Sequence, residues 1–196
     1  MVQVTINRRE LLTRSICAGS LVCVGSNPLL AALSQENDSE THKFQAKSGM
    51  TYEEVFRFAF VRGYIPIMKV LADRVGLDVL QKAAYDAAYE GIKDRPFPKR
   101  DIPTIAHTFK NLNPHAKQML TMEVIEDNET AFEMKVTECL WAKTFRDANA
   151  ADIGFSCICN VDYATAEAFS PKVELIRDKT LMQGHTCCNH RYVMKV

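Results

Sequence analysis

The chain has 196 residues, 47% of them hydrophobic, and carries 24 Lys plus Arg against 24 Asp plus Glu. That is enough for one domain with its own core. The balanced charge and the lack of like-charged blocks leave no electrostatic footprint for a nucleic-acid backbone or an anionic membrane surface, so no nucleic-acid partner is expected. The longest apolar stretch, "SICAGSLVCVGSNPLLAAL", is broken by Gly, Ser and an Asn-Pro pair before it reaches the roughly 18 uninterrupted residues of a spanning helix. No stable membrane span is expected once a signal is removed.

Residues 1–34 read as an export signal. Arg8 and Arg9 precede a weakly apolar, Gly- and Ser-rich region that ends in small residues, the pattern of a twin-arginine address. Cleavage is expected near Ala32 or Ser34, with the twin-arginine export machinery as a partner and a periplasmic or extracellular destination. Small residues do not immediately precede Cys17 or Cys23, which argues against a lipid anchor. Residues 35–50 are polar and read as a linker, so the folded domain is expected over residues 51–196.

Thr51 followed by Glu54 is a capping-box pattern, and Val55, Phe58, Ala59 and Arg62 fall along one face of the helix that it opens. Gly63 is expected to end that helix. A second helix has Pro66 in its first turn and Gly76 as its stop, and a third is closed by Gly91. Residues 93–103 hold three prolines and read as a loop. Residues 104–118 fit a short helix or irregular structure equally well, which places His107 and His115 in loop-like contexts. Leu120, Met122 and Val124 alternate with polar residues, and so do Phe132, Met134 and Val136, with "EDNET" between them, a β-hairpin. Helical spacing returns after Leu140, as two helices meeting near Gly154, and "KVELIRDKTLMQG" and "HRYVMK" supply two or three further strands. The order predicts a single α+β domain, N-terminal helices plus a mainly antiparallel sheet flanked by helices.

Chemistry-bearing residues concentrate in the last forty positions. Cys159 and Asp162 stand three apart, neighbours on one helical face, so a thiol and a carboxylate could serve one cleft. His185 and Cys188, three apart after the Gly184 turn, could reach it from the sheet, and His185 has the side chain best suited to moving protons near neutrality. A second reading is a soft-metal or organometal site drawn from Cys157, Cys159, His185, Cys187 and Cys188. Zinc or another soft metal fits that donor set, although Cys-x-Cys and Cys-Cys differ from the spacers of zinc ribbons, and the sequence requires no cofactor. Disulfides are a third reading, but removal of the signal leaves an odd five cysteines. The plainest reading makes Cys139 and Cys157 small buried hydrophobes, Asp162 a helix cap, His190 a sheet residue and Trp141 a core anchor in a non-catalytic exported binding domain.

The run "ADIGFSCICNVDYATAEAFSPKVELIRDKTLMQGHTCCNHRY" resembles the C-terminal half of the L-2-amino-thiazoline-4-carboxylic acid hydrolase family. Cys159 and Asp162 fall on the family's Cys-x-x-Asp, Arg177, Thr180, Leu181 and Gly184 on an "R-x-x-T-L-x-x-G" strand, and Cys188 on the cysteine that follows. The sequence departs from that pattern at His185, Asn189 and His190, where the family favours an acid after the Gly and an Asp then an aromatic after the last Cys. The resemblance implies a hydrolase that opens a small cyclic thiazoline or amidine, with Cys159, Asp162, His185 and Cys188 as its catalytic group.

Overall fold

The computed structural model describes residues 49–195. The export signal, its cleavage site and most of the expected linker lie outside the described residues.

Thr51 opens the first helix, α1 (Tyr52–Ala59), as a full capping box: its hydroxyl accepts from the Glu54 amide at 3.2 Å, and the Glu54 carboxylate accepts from the Thr51 amide at 2.7 Å. Gly63 does not end this helix. The chain widens into one π-helical turn, Phe60–Tyr64, and continues directly as α2 (Ile65–Val75). The wide turn lies just ahead of Pro66, which lacks an N–H and whose ring crowds the preceding turn, so one extra residue per turn lets the helix pass the proline without breaking. Gly76, at φ 92°, makes the stop. The next helix, α3 (Leu77–Lys93), runs through Gly91 and ends at Asp94. Gly91 keeps helical geometry because glycine inside a helix weakens it without forbidding it.

Residues 102–119 resolve into two short helices, α4 (Ile102–Lys110) and α5 (Pro114–Met119), and carry His107 and His115 on helices rather than loops. Asp101 and Asn113 cap them by accepting from the Thr104 and Ala116 amides at 3.0 and 2.9 Å. The hairpin follows as expected, β1 (Leu120–Asp127) and β2 (Ala131–Cys139), its turn closed by the Asn128 side chain on the Thr130 and Ala131 amides. Then come α6 (Leu140–Asp147), α7 (Ala151–Gly154), a second π-turn (Phe155–Cys159), α8 (Val161–Phe169), β3 (Val173–Ile176), a 3₁₀ turn (Leu181–Gln183) and β4 (Cys188–Met194). Gly154 is needed for a close approach: a Cβ there would lie 2.6 Å from Met182 Sδ and 2.9 Å from a Phe145 ring carbon.

Among the described residues the strands form one antiparallel sheet in the order β1-β2-β4-β3, so the fold is α+β as the sequence predicts. Period-two alternation sends Phe132, Met134 and Val136 to the same buried face as Tyr192, His190 and Cys188, their register partners on β4, and Val173 and Leu175 of β3 join them. Ile102, Ile105, Ala166 and Phe169 cover that face from α4 and α8. A second cluster packs the helices around Trp141 and Phe145, with the Phe56 and Phe60 rings edge-on to Trp141 at 4.7 and 4.5 Å. Arg100 joins the ends of α3 and α8 by donating to the carbonyls of Lys93, Arg95, Ala168 and Phe169, which helix termini leave without intrahelical partners.

The extent of the third strand differs from the sequence expectation. Only the start of "KVELIRDKTLMQG" is a strand; from Arg177 onward the chain leaves the sheet and folds into the 3₁₀ turn, which Thr180 caps and Gly184 closes at φ 94°. The face holding Val55 and Phe58 points outward, these residues being 49% and 60% exposed, while Phe56 and Ile65 face the core. Among the described residues no helix is long and apolar enough to cross a membrane.

Candidate functional site

The second π-turn and β4 bring the candidate residues together. Cys159 is the last residue of that turn and Asp162 lies in the first turn of α8, so the Cys-x-x-Asp spacing straddles a helical junction. Asp162 does not cap α8, whose N-cap is Asn160 with no side-chain cap bond. Its carboxylate instead accepts from Arg177 Nη1 at 2.6 Å and stands 3.4 Å from His190 Nε2.

Arg177 is the hub. It continues the inward alternation of Val173 and Leu175 one step beyond β3, and the β3–β4 register carried one step further sets it opposite His190. Its side chain is 1% exposed, and its Nη2 donates to the Cys159 carbonyl at 2.8 Å. Its guanidinium lies 4.9 Å from the centre of the Tyr163 ring, and Tyr163 donates back to the Arg177 carbonyl at 3.0 Å. Arg177 Nη1 also meets His190 Nε2 at 3.0 Å. The other ring nitrogen of His190, Nδ1, is buried and has no protein partner. The sequence reading passed over Arg177 as a strand position and His190 as a sheet residue; the usable signal was the period-two pattern that puts 173, 175 and 177 on one face and 188, 190 and 192 on another strand of it.

Burial pushes the Asp162 carboxyl upward, but the hydrogen bond and charge of His190 and the charge of Arg177 outweigh it and hold the group below its ordinary value. Cys159 behaves in the opposite way. Burial first, then the negative charge of Asp162, push its thiol far up, against a smaller lowering by Arg177, so it rests neutral. Cys188, the buried first residue of β4, accepts from the Leu181 amide at 3.1 Å, and burial pushes it up as well. Cys139 joins this neighbourhood from the end of β2, where its sulfur caps α6 through the Ala142 amide at 3.5 Å. A negative charge on any one of Cys139, Cys159, Cys188 and Asp162 makes the thiols among the others harder to ionise.

The remaining candidates lie elsewhere. His185 is exposed on the turn after Gly184, its Nδ1 at 3.2 Å from the Thr180 amide. Cys157 packs among the helices with its thiol hydrogen-bonded to Tyr64, and Cys187 precedes β4 on the opposite side of the alternation from Cys188. Among the described residues no group of three or more His, Cys, Asp or Glu side chains stands in a metal-holding arrangement, and the five described cysteines are free thiols.

The raised thiols have a consequence for stability. Burial pushes Cys139 and Cys157 up to about 11, and Cys159 further. A group that holds its proton more tightly when folded stabilises the fold below its unfolded pKa, and that stabilisation is lost as pH rises through the folded value. Urea unfolding at increasing pH should therefore show stability falling from about pH 9 toward 11, by up to about 1.4 kcal/mol per pH unit for each such thiol. Cys157→Ala should flatten the slope, and a pH-independent midpoint would refute the burial of these groups.

The domain thus sets a partly exposed carboxylate, held by a buried arginine, among free thiols, and comparison with known proteins gives it a family. The family model described as L-2-amino-thiazoline-4-carboxylic acid hydrolase matches residues 52–192, and the chain belongs to that family. The match spans all of the sheet but the last two residues of β4, and every residue of the Asp162–Arg177–His190 cluster. A search of curated proteins gives no match. Among solved structures the chain is similar to the crystal structure of a trafficking protein particle complex subunit 3 from Naegleria fowleri covalently bound to palmitic acid, at 15% identity and a TM-score of 0.41, over 74% of this chain and 95% of that one.

Proposed function

We propose that this protein opens the ring of a small cyclic amidine of the 2-amino-thiazoline type by hydrolysis, with Cys159 and Asp162 at the reacting carbon. The observation that carries the reading is the Asp162 carboxylate, ionised, held by Arg177 and 36% exposed, with a partly buried neutral thiol in its neighbourhood. A protonated 2-amino-thiazoline is an amidinium, a planar cation whose N–H groups match a carboxylate. Docking it on Asp162 offsets the negative charge that helps hold the Cys159 thiol neutral and supplies a positive charge close to the sulfur, so the substrate itself favours the thiolate.

The thiolate sulfur adds to the amidine carbon, and its proton passes by way of Asp162 to the ring heteroatom that departs. Water then adds to the same carbon and releases Cys159. If the ring C–S bond breaks, the product carries a new thiol and a urea; if the ring C–N bond breaks, it carries an amine and a thiocarbamate. Cys188 and Cys139 line the same region, and Arg177 and His190 position Asp162 without needing to touch the substrate.

The test is an assay of the purified chain with L-2-amino-thiazoline-4-carboxylic acid under reducing conditions, followed by mass spectrometry for addition of one water and by a thiol count on the isolated product. Turnover with a gain of one thiol per molecule would assign C–S cleavage. No turnover of this compound or of related cyclic amidines would remove the reading.

A further inference from the structure

We propose that two copies of this chain pair through the outer face of the α1–α2 helical run, antiparallel about a twofold axis at Ile67. This surface lies apart from the site above and does not depend on its chemistry.

The run from Tyr52 to Val75 is continuous and about 36 Å long at the usual helical rise. Its outward stripe runs through Val55, Phe58, Gly63, Ile67, Leu71 and Val75 at three- and four-residue spacing, apart from the five-residue step from Phe58 to Gly63 that spans most of the π-turn, with Val61 and Val70 on its flanks. Phe58 is 60% and Ile67 61% exposed. An outward helix face is ordinarily polar, and this one carries exposed apolar residues from end to end, with Glu54, Arg62, Asp73 and Arg74 exposed among them, while the opposite face, with Phe56 and Ile65, already packs on the core. The stripe presents on the order of 600 Å² of apolar surface, the upper end of what a monomer leaves uncovered and close to the roughly 800 Å² per partner of a standard interface.

A second copy is the occupant that the sequence of the stripe favours. In an antiparallel pairing centred on Ile67 the two most exposed aliphatic side chains meet at the axis, Phe58 meets Val75, and Leu71 meets Gly63. Gly63 has open space where a Cβ would stand and keeps negative φ, so nothing within its own chain requires a glycine there. A glycine inside a helix costs about 1 kcal/mol against alanine, and a facing Leu71 that needs close approach accounts for it. The same register places Arg62 within one turn of Asp73 of the partner on both sides of the axis, so charge is complementary as well as shape.

Sedimentation of the full chain over a micromolar to submillimolar series should show a monomer–dimer equilibrium. Ile67→Glu should raise the dissociation constant at least tenfold with an unchanged circular dichroism spectrum, because the residue is mostly exposed in the single chain. Arg62→Asp should weaken the dimer, and Arg62→Asp combined with Asp73→Arg should restore it. A wild-type chain that stays monomeric throughout, or that binds phospholipid vesicles without self-associating, would overturn the proposal. So would a dimer that Ile67→Glu leaves intact.

Discussion

Arg177→Met should lower the unfolding free energy by about 3 kcal/mol or more, read as a shift of the urea midpoint at constant slope. The side chain is 1% exposed and supplies partners at once to the Asp162 carboxylate, the Cys159 carbonyl and the Tyr163 ring. Methionine fills similar volume but leaves the carboxylate and the carbonyl unanswered, and the cost of a broken buried pair lies mostly in the partner left behind. Asp162→Asn should destabilise too, since it strands a buried guanidinium. The double substitution should cost less than the two single ones together, because residues in one network couple. Acid should narrow the difference between wild type and Arg177→Met without closing it, since the Cys159 carbonyl and the Tyr163 ring do not titrate. Asp162 is held below its ordinary value, so its stabilisation is present above the unfolded carboxylate pKa near 4 and is lost as pH falls through the lower folded value. A midpoint shift worth less than about 1 kcal/mol would mean that the pair behaves as an exposed one.

Features governed by local rules were legible in the sequence. The capping box at Thr51, the stop at Gly76 and the β1–β2 hairpin each depend on a few neighbouring residues, and each formed where the pattern placed it. What failed was any inference that treated one residue as decisive where the surroundings could compensate. Gly63 looked like a terminator, yet the π-turn carries the helix past it and past Pro66. Val55 and Phe58 share a helical face, but a helix here has two apolar stripes, and spacing alone does not say which turns inward.

The site divides along the same line. Cys159, Asp162 and Cys188 could be singled out from motif spacing, because a short separation across one helical junction or the mouth of one strand limits where the side chains go. Arg177 and His190 meet through strand register, a relation between segments that neither segment announces alone. The resemblance even concealed it, since reading Arg177 through Gly184 as a strand hides the point where the chain leaves the sheet. His185 drew attention for its ordinary pKa near neutrality, but intrinsic acidity carries no information about place, and the structure sets it on an exposed turn.

Cys159→Ser should lower kcat/KM for the thiazoline by about a thousandfold or more, because a serine hydroxyl so placed has no base able to make it a comparable nucleophile. The stability of the variant should stay near that of the wild type, since it is the Cys159 carbonyl, not the sulfur, that answers Arg177. The wild-type pH profile provides a second reading of the same step. Burial and Asp162 hold the resting thiol protonated, so kcat should climb with pH through the neutral range, by up to tenfold per unit, until the thiolate of the complex is fully formed. A substrate analogue lacking the basic amidine would not offset the charge of Asp162, and its rate should be low at every neutral pH. His185→Ala, on the exposed turn, should leave the profile unchanged, whereas His190→Ala should depress kcat/KM through Asp162. Should Cys159→Ser retain wild-type rates with the profile flat, the attack would belong to a water molecule activated by Asp162, and the thiols around it would be packing groups.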